Sequence, residues 1–193
     1  MSDIDSPTGS HDAAANMPPP LVVALIGLPG AGKSVVAAAF EREFGLRRVC
    51  RDTIRAAMFP RCSYSYAEKS AAMRAVLLAV EVNCMLGSGS VIDGVTFSRH
   101  RDLERLDRTL APHRVLSLPL FLDCPPEVAR RRVAHDIATG RHLALDRSPA
   151  LVDEIMARFE PPPATCVAID ARLPKDALVA AALAAARARI AAG

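Results

Sequence analysis

The sequence predicts an α/β domain, a parallel sheet with helices on both faces. Three observations point to it. Short apolar runs alternate with segments of helical periodicity from Leu21 to the end of the chain. A glycine-rich loop, Gly27-Leu28-Pro29-Gly30-Ala31-Gly32-Lys33-Ser34, joins the first apolar run to the first helix. Two later apolar runs end at or just before carboxylates, Asp52 and Asp93. In a sheet of this kind ligands bind beyond the carboxyl ends of the strands. The chain has 193 residues, 51% of them hydrophobic, which suits one domain with a sizeable core.

Taken in order, residues 1–20 are rich in Ser, Asp, Ala and Pro and end in three prolines, which reads as a disordered tail. The folded domain is expected over 21–193. Leu21-Val22-Val23-Ala24-Leu25-Ile26 is a continuous apolar run, a buried first strand. After the loop, Val36, Ala39, Phe40 and Phe44 share one helical face. Leu46 to Cys50 reads as a second strand ending in Arg51-Asp52-Thr53-Ile54-Arg55. Ser65-Tyr66-Ala67-Glu68 has the capping-box pattern and opens a long helix with Met73, Val76, Leu77, Val80 and Cys84 inward, ending near Gly87.

Ser90 to Asp93 is a third strand, Ser98 to Leu110 a helix, and Val115 to Asp123 a fourth strand. Pro125-Pro126-Glu127 starts the next helix, because proline is tolerated in a first turn. The basic stretch from Arg130 to Arg147, interrupted by Gly140, reads as a mobile flap rather than core. Leu151 to Phe159 resumes a helix that three prolines end. Cys166 to Ile169 is a fifth strand, and a final helix carries Val179, Leu183, Ala186 and Ile190 on one face.

Composition narrows the function classes. The net charge of +3 neither demands nor excludes a nucleic-acid partner. No Trp and two Tyr argue against an aromatic platform for stacking bases. The five cysteines are scattered, without C-x-x-C spacing, which argues against a disulfide framework or structural zinc site and for a reducing, cytoplasmic setting. The first residues carry Asp3, Asp5 and Asp12 and no apolar segment, so they read as no signal peptide. No run approaches membrane-spanning length.

The loop from Gly27 to Ser34 fits G-x-x-x-x-G-K-[ST], the phosphate-binding P-loop, and has the strand before it and helix after it that the motif requires. Its glycines let successive N–H groups turn toward phosphate oxygens, and the helix start adds its positive dipole end. Lys33 is expected to reach the β- and γ-phosphates and Ser34 to hold Mg²⁺, so the expected ligand is Mg-ATP, bound along Gly27 to Val35. Asp52 is placed to accept a proton from a hydroxyl attacking the γ-phosphate, and Arg55, one helical turn on, to contact an anionic substrate. A plain helix cap is the competing reading of Asp52. Asp93 is a candidate metal ligand and substrate neighbour, and Arg99 a candidate substrate contact. Arg130, Arg131, Arg132, Arg141 and Arg147 offer charge to the transferring group, whereas His135 and His142 have no carboxylate partner at a clear spacing.

Five pieces in this order resemble the small P-loop kinases related to phage polynucleotide kinase, zeta toxins, gluconate kinase and chloramphenicol phosphotransferase. They are the P-loop, the D-x-x-R of Asp52 and Arg55, Val91-Ile92-Asp93-Gly94-Val95-Thr96-Phe97, Leu122-Asp123-Cys124-Pro125-Pro126-Glu127-Val128, and Phe159-Glu160-Pro161. The resemblance implies a five-stranded sheet of order 2-3-1-4-5. It implies Asp52 as base, Arg55 as substrate contact, and a lid over about 130–149 that brings arginines to the phosphates. Where the group has two arginines four residues apart in the lid, this chain has Arg132 and Asp136, so Arg141 is the expected substitute. Val35 stands where the group usually has Thr. The loop and the D-x-x-R also resemble adenylylsulfate kinase.

The expected activity is transfer of the γ-phosphate of ATP to a hydroxyl of a small-molecule acceptor, with Lys33, Asp52 and Arg132 in catalytic roles and no membrane partner. The alternatives are a nucleic-acid 5′-hydroxyl kinase, an adenylylsulfate kinase-like enzyme and a nucleotide-binding regulatory ATPase.

Overall fold

The computed structural model describes residues 18–140 and 148–193. Strands β1 (Leu21–Ile26), β2 (Arg47–Cys50), β3 (Ser90–Asp93), β4 (Leu116–Asp123) and β5 (Val167–Asp170) form one sheet in the order β2-β3-β1-β4-β5. Every pairing is parallel. The helices are α1 (Lys33–Phe44), α2 (Arg51–Met58), α3 (Tyr66–Met85), α4 (His100–Leu110), α5 (Pro126–Ala138), α6 (Pro149–Met156) and α7 (Lys175–Ala191).

The centre of the sheet explains the unbroken apolar run. All six residues of β1 are buried. Leu21, Val23 and Leu25 enter a core that includes Phe40 of α1, Val133 of α5, Ile155 of α6 and Leu183 of α7. Val22, Ala24 and Ile26 enter a second core with Val76 and Val80 of α3 and Leu103 and Leu106 of α4. Successive side chains of a strand point to opposite faces, so a strand covered on both sides must be apolar at every position. Burying Phe40 alone contributes roughly 2–3 kcal/mol.

The capping box at the start of α3 is present. The Ser65 hydroxyl accepts from the Glu68 N–H at 3.3 Å, and the Glu68 carboxylate accepts from the Ser65 N–H at 3.2 Å. Val76, Val80 and Cys84 are buried as expected, while Met73 and Leu77 pack at the edge of their core. In α7 the inward stripe is rotated from the expected one. Leu178, Ala182, Leu183 and Ala186 are buried, and Ile190 is exposed. A helix this rich in alanine has little amphipathic contrast, so its sequence marks the buried face weakly.

The segment expected as a flap differs more. Arg130 to Ala138 is regular α-helix, the continuation of α5 from Pro126. Ala129 and Val133, one turn apart, are fully buried against the main core and pin this helix beside the P-loop. Arg130 pairs with Asp153, tying α5 to α6. Residues 141–147, with Arg141, His142 and Arg147, lie outside the described residues. Among the described residues no helix is long and apolar enough to cross a membrane.

A packed α5 has a measurable consequence. Backbone amides of Val133 to Ala138 are expected to exchange slowly with solvent before any nucleotide is added, with protection close to that of α1. Exchange in these amides as fast as in an unstructured peptide would contradict the docked helix.

Candidate active site

The carboxyl ends of β1, β2 and β3 meet at one edge of the sheet. There a cleft of about 430 Å³ is lined by Gly30, Gly32, Lys33 and Ser34 of the P-loop, Arg48, Asp52 and Asp93 from the β2–β3 side, and Arg132 of α5. Leu173, Lys175 and Leu178 close it on the α7 side.

The P-loop is held by contacts that require glycine. Gly27, at φ 143°, donates its N–H to the Thr96 carbonyl at 3.1 Å, and a Cβ there would lie 2.8 Å from the Leu122 carbonyl oxygen. Gly30, at φ 81°, would place a Cβ 2.6 Å from the Ala129 carbonyl oxygen. Both distances exclude a side chain, and both backbones lie where only glycine is comfortable. Within the loop Leu28, Pro29 and Ala31 are buried, and Val35 sits half-buried in the first turn of α1. Lys33 opens α1, and its Nζ donates to the carbonyls of Gly27 and Leu28, each at 2.8 Å. The ammonium is thus held over the loop at the positive end of the helix, a combination that suits phosphate oxygens.

Of the three carboxylates that line the cleft, Asp52 and Asp93 each pair with an arginine. Asp52 lies in the first turn of α2 and is buried. Arg55 Nη2 donates to its Oδ1 at 3.1 Å, and the Arg51 guanidinium lies 3.7 Å from the same oxygen. The N-cap position of α2 is Cys50, with no side-chain cap hydrogen bond, and Asp52 is the second residue of the helix. The Arg55 guanidinium sits 4.3 Å from the centroid of the Tyr64 ring. Tyr64 itself has φ 57°, an uncommon left-handed value for an aromatic residue.

Asp93 ends β3 and is 1% exposed. Its Oδ1 accepts from the Ser34 hydroxyl at 3.3 Å. Its Oδ2 accepts from Arg48 Nη2 at 2.5 Å and Nε at 3.2 Å. Burial pushes the Asp93 carboxyl up, but the Arg48 hydrogen bond and charge, the Gly94 N–H and the Lys33 charge outweigh it and hold it below the ordinary carboxylate value.

The other expected residues divide. Arg132 lines the cleft and donates from Nη1 to the Gly30 carbonyl at 3.4 Å, with Asp136 one turn further along the same wall. Arg55 does not line the cleft but pairs with Asp52, which does. Arg99 does not line it, and instead forms the N-cap position of α4. Beside it the Glu160 carboxylate accepts from the His100 N–H at 2.6 Å, which gives Phe159-Glu160-Pro161 a structural role at the helix start. Residues that sequence reasoning missed are Arg48, Cys50, Leu173, Lys175 and Leu178. The last three follow β5, so extending the strand-end rule to the fifth strand finds them. No local pattern marks Arg48.

A family model described as an AAA domain matches residues 22–162, from β1 to just beyond α6. The chain belongs to that family. No curated protein sequence matches significantly. Solved structures with the same fold include a gluconokinase from Sinorhizobium meliloti 1021, 19% identical over 90% of this chain and 94% of its own, with a TM-score of 0.64. A sugar kinase from Janibacter sp. HTCC2649 is 21% identical over 88% and 95%, with a TM-score of 0.65. The APS kinase CysC of Mycobacterium tuberculosis, in complex with AMPPNP and APS, is 18% identical over 88% and 99%, with a TM-score of 0.64. The fold is therefore that of the P-loop kinases, with the strand order expected from the sequence resemblance.

The Arg48–Asp93 pair makes a stability prediction. A carboxyl whose value is lowered by folding contributes stability that is complete above its unfolded value, near 3.8, and is lost as pH falls through the lower folded value. Arg48→Met leaves the buried carboxylate without its cation and is expected to destabilise the domain by about 3 kcal/mol at pH 7. The deficit should shrink as the pH falls from 7 to about 3, because without Arg48 the Asp93 carboxyl takes up its proton at higher pH than in the wild type and protonation relieves the unpaired charge. Denaturant unfolding of both proteins at the two pH values measures this, and a deficit independent of pH would contradict the pairing.

Proposed function

We propose that the chain is an ATP-dependent phosphotransferase that moves the γ-phosphate of ATP to a hydroxyl of a small-molecule acceptor. One observation carries the reading. Asp52, a buried carboxylate, lines the same cleft as Lys33 and Ser34 of the P-loop while pairing with Arg55. A regulatory nucleotide switch has no need of a buried acid–arginine pair beside the phosphate site. A phosphotransferase needs it to receive the acceptor. That three structural neighbours are named as kinases, one of them with AMPPNP bound, supports a nucleotide as the donor.

The residues take these roles. The P-loop N–H groups and Lys33 bind and orient the phosphates, with the ammonium exchanging loop carbonyls for phosphate oxygens. The donor set fits Mg²⁺, a hard cation that prefers oxygen, because the Ser34 hydroxyl and the Asp93 carboxylate lie 3.3 Å apart at the mouth of the loop. Bound there, the ion would neutralise phosphate charge. Asp52 orients the acceptor hydroxyl and takes its proton as the oxygen attacks phosphorus. Arg132, at the opposite wall, stabilises charge on the transferring group. Arg55, buried and outside the cleft lining, holds Asp52 in place.

The test begins with labelled ATP and a panel of nucleosides, sugars, sugar acids, antibiotics and 5′-hydroxyl oligonucleotides. With the acceptor in hand, Asp52→Asn is expected to lower kcat by about 10²–10⁴-fold with little change in ATP affinity, as expected for loss of a general base. Arg55→Ala should lower kcat as well, because it leaves the buried Asp52 without its paired arginine. Lys33→Ala should abolish transfer while leaving the fold intact. Wild-type turnover in Asp52→Asn would remove Asp52 from the chemistry. Hydrolysis of ATP that no acceptor diverts and that a protein stimulates would favour a regulatory ATPase.

A further inference from the structure

The outer face of α3 plays no part in the cleft. Leu78 is 59% exposed, Val82 43%, Met85 70% and Leu86 64%. With Ala67, Ala71 and Ala75 they form a stripe whose members recur every three or four residues, the seam that a partner helix fills. It lies opposite the face that buries Ala72, Val76, Val80, Asn83 and Cys84 in the domain core. Single exposed apolar residues need no explanation, but a contiguous stripe marks an interaction surface.

We propose that this stripe pairs with the same stripe of a second copy of the chain, the two α3 helices running antiparallel about a two-fold axis near Val76 and Leu77. Two features of the stripe select that partner. The first is size. Its N-terminal half is alanine and its C-terminal half is large. Antiparallel pairing sets Leu86 against Ala67 of the second copy, Val82 against Ala71 and Leu78 against Ala75, so that three of the four large side chains meet a small one, while Met85 meets Glu68, whose carboxylate is turned to the Ser65 N–H. The second is charge. Arg74 and Glu81 flank the stripe on the same side, and in this register Arg74 faces Glu81 of the second copy, twice by symmetry. A parallel pair sets alanine against alanine and brings Arg74 and Glu81 beside Ala79 and Leu86, with no opposite charge. Glu81 lies 3.7 Å from His113 of its own chain and is 40% exposed along its side chain, which leaves it accessible to Arg74.

One pair of helices buries less than the roughly 800 Å² per partner of a standard interface, so the dimer is weak and depends on concentration. Sedimentation equilibrium of the full chain across a concentration series tests it. A monomer–dimer equilibrium is expected. Leu78→Glu should abolish the dimer, and Arg74→Glu should weaken it about tenfold by turning two attractive pairs repulsive. The exchange Arg74→Glu with Glu81→Arg should restore the wild-type constant. Arg74 is exposed, so its substitution does not threaten the fold, and circular dichroism checks that it does not. A chain that stays monomeric to the highest concentration overturns the proposal. So does a dimer indifferent to Leu78→Glu and Arg74→Glu, and failure of the charge exchange to rescue overturns the antiparallel register. None of these readouts uses phosphotransfer, so the test stands whether or not the proposed activity does.

Discussion

The site depends first on the parallel pairing of β1 between β3 and β4. Ala24 pairs with Ile92 on one side, and Ile26 with Phe121 on the other. Parallel strands deliver all their carboxyl ends to one edge, so the P-loop after β1 and the carboxylate ending β3 must share that edge. The β2–β3 register, with Cys50 beside Asp93, adds Asp52 two residues later. None of the described residues that line the cleft is carried by a long loop. The Gly27 N–H bonded to the Thr96 carbonyl then fixes the P-loop against the turn that follows β3.

On that edge the charges are distributed in pairs. Asp93 is bound to Arg48 and faces Ser34, while Asp52 is bound to Arg55 and lines the same cleft. A buried carboxylate needs a cation or several hydrogen bonds to keep its charge. Each carboxylate has its own arginine, and Lys33, whose ammonium is engaged with the loop carbonyls, adds its charge to the field at Asp93. Arg55 is itself held by the ring of Tyr64, in a left-handed backbone conformation of the kind that persists where the surrounding structure demands it.

Whatever is encoded locally was legible in the sequence. The P-loop, the six apolar residues of β1 and the Ser65–Glu68 capping box are contiguous patterns whose geometry follows from their own residues, and each is found where the pattern places it. Asp52 and Asp93 could be placed at the shared edge because strand direction follows from the alternation of strands and helices. What whether a side chain is buried or paired depends on is register and packing, and these are not local. Arg47 and Arg48 look alike in sequence. Only the pairing of β2 with β3 turns Arg48 to Asp93, while Arg47 donates to Asn83 of α3 at 2.9 Å. Ile190 was expected inward for a related reason, since an alanine-rich helix fixes its buried face by what it docks on.

Packing also decides how Arg132 reaches the phosphate loop. Five arginines around a glycine suggested a segment that closes over its ligand. In the structure Ala129 and Val133 pack α5 so closely on the P-loop that Gly30 admits no Cβ, and Arg132, between those two anchors in sequence, already points at the Gly30 carbonyl. A guanidinium carried on a docked helix is oriented by core packing rather than by ligand binding. In the proposed reaction its charge is therefore in position beforehand, and little reorganisation accompanies transfer. The apolar contacts of α5 thus join stability to chemistry: the volume at residue 133 sets how α5 sits on the loop, and that seating sets where the Arg132 charge lies.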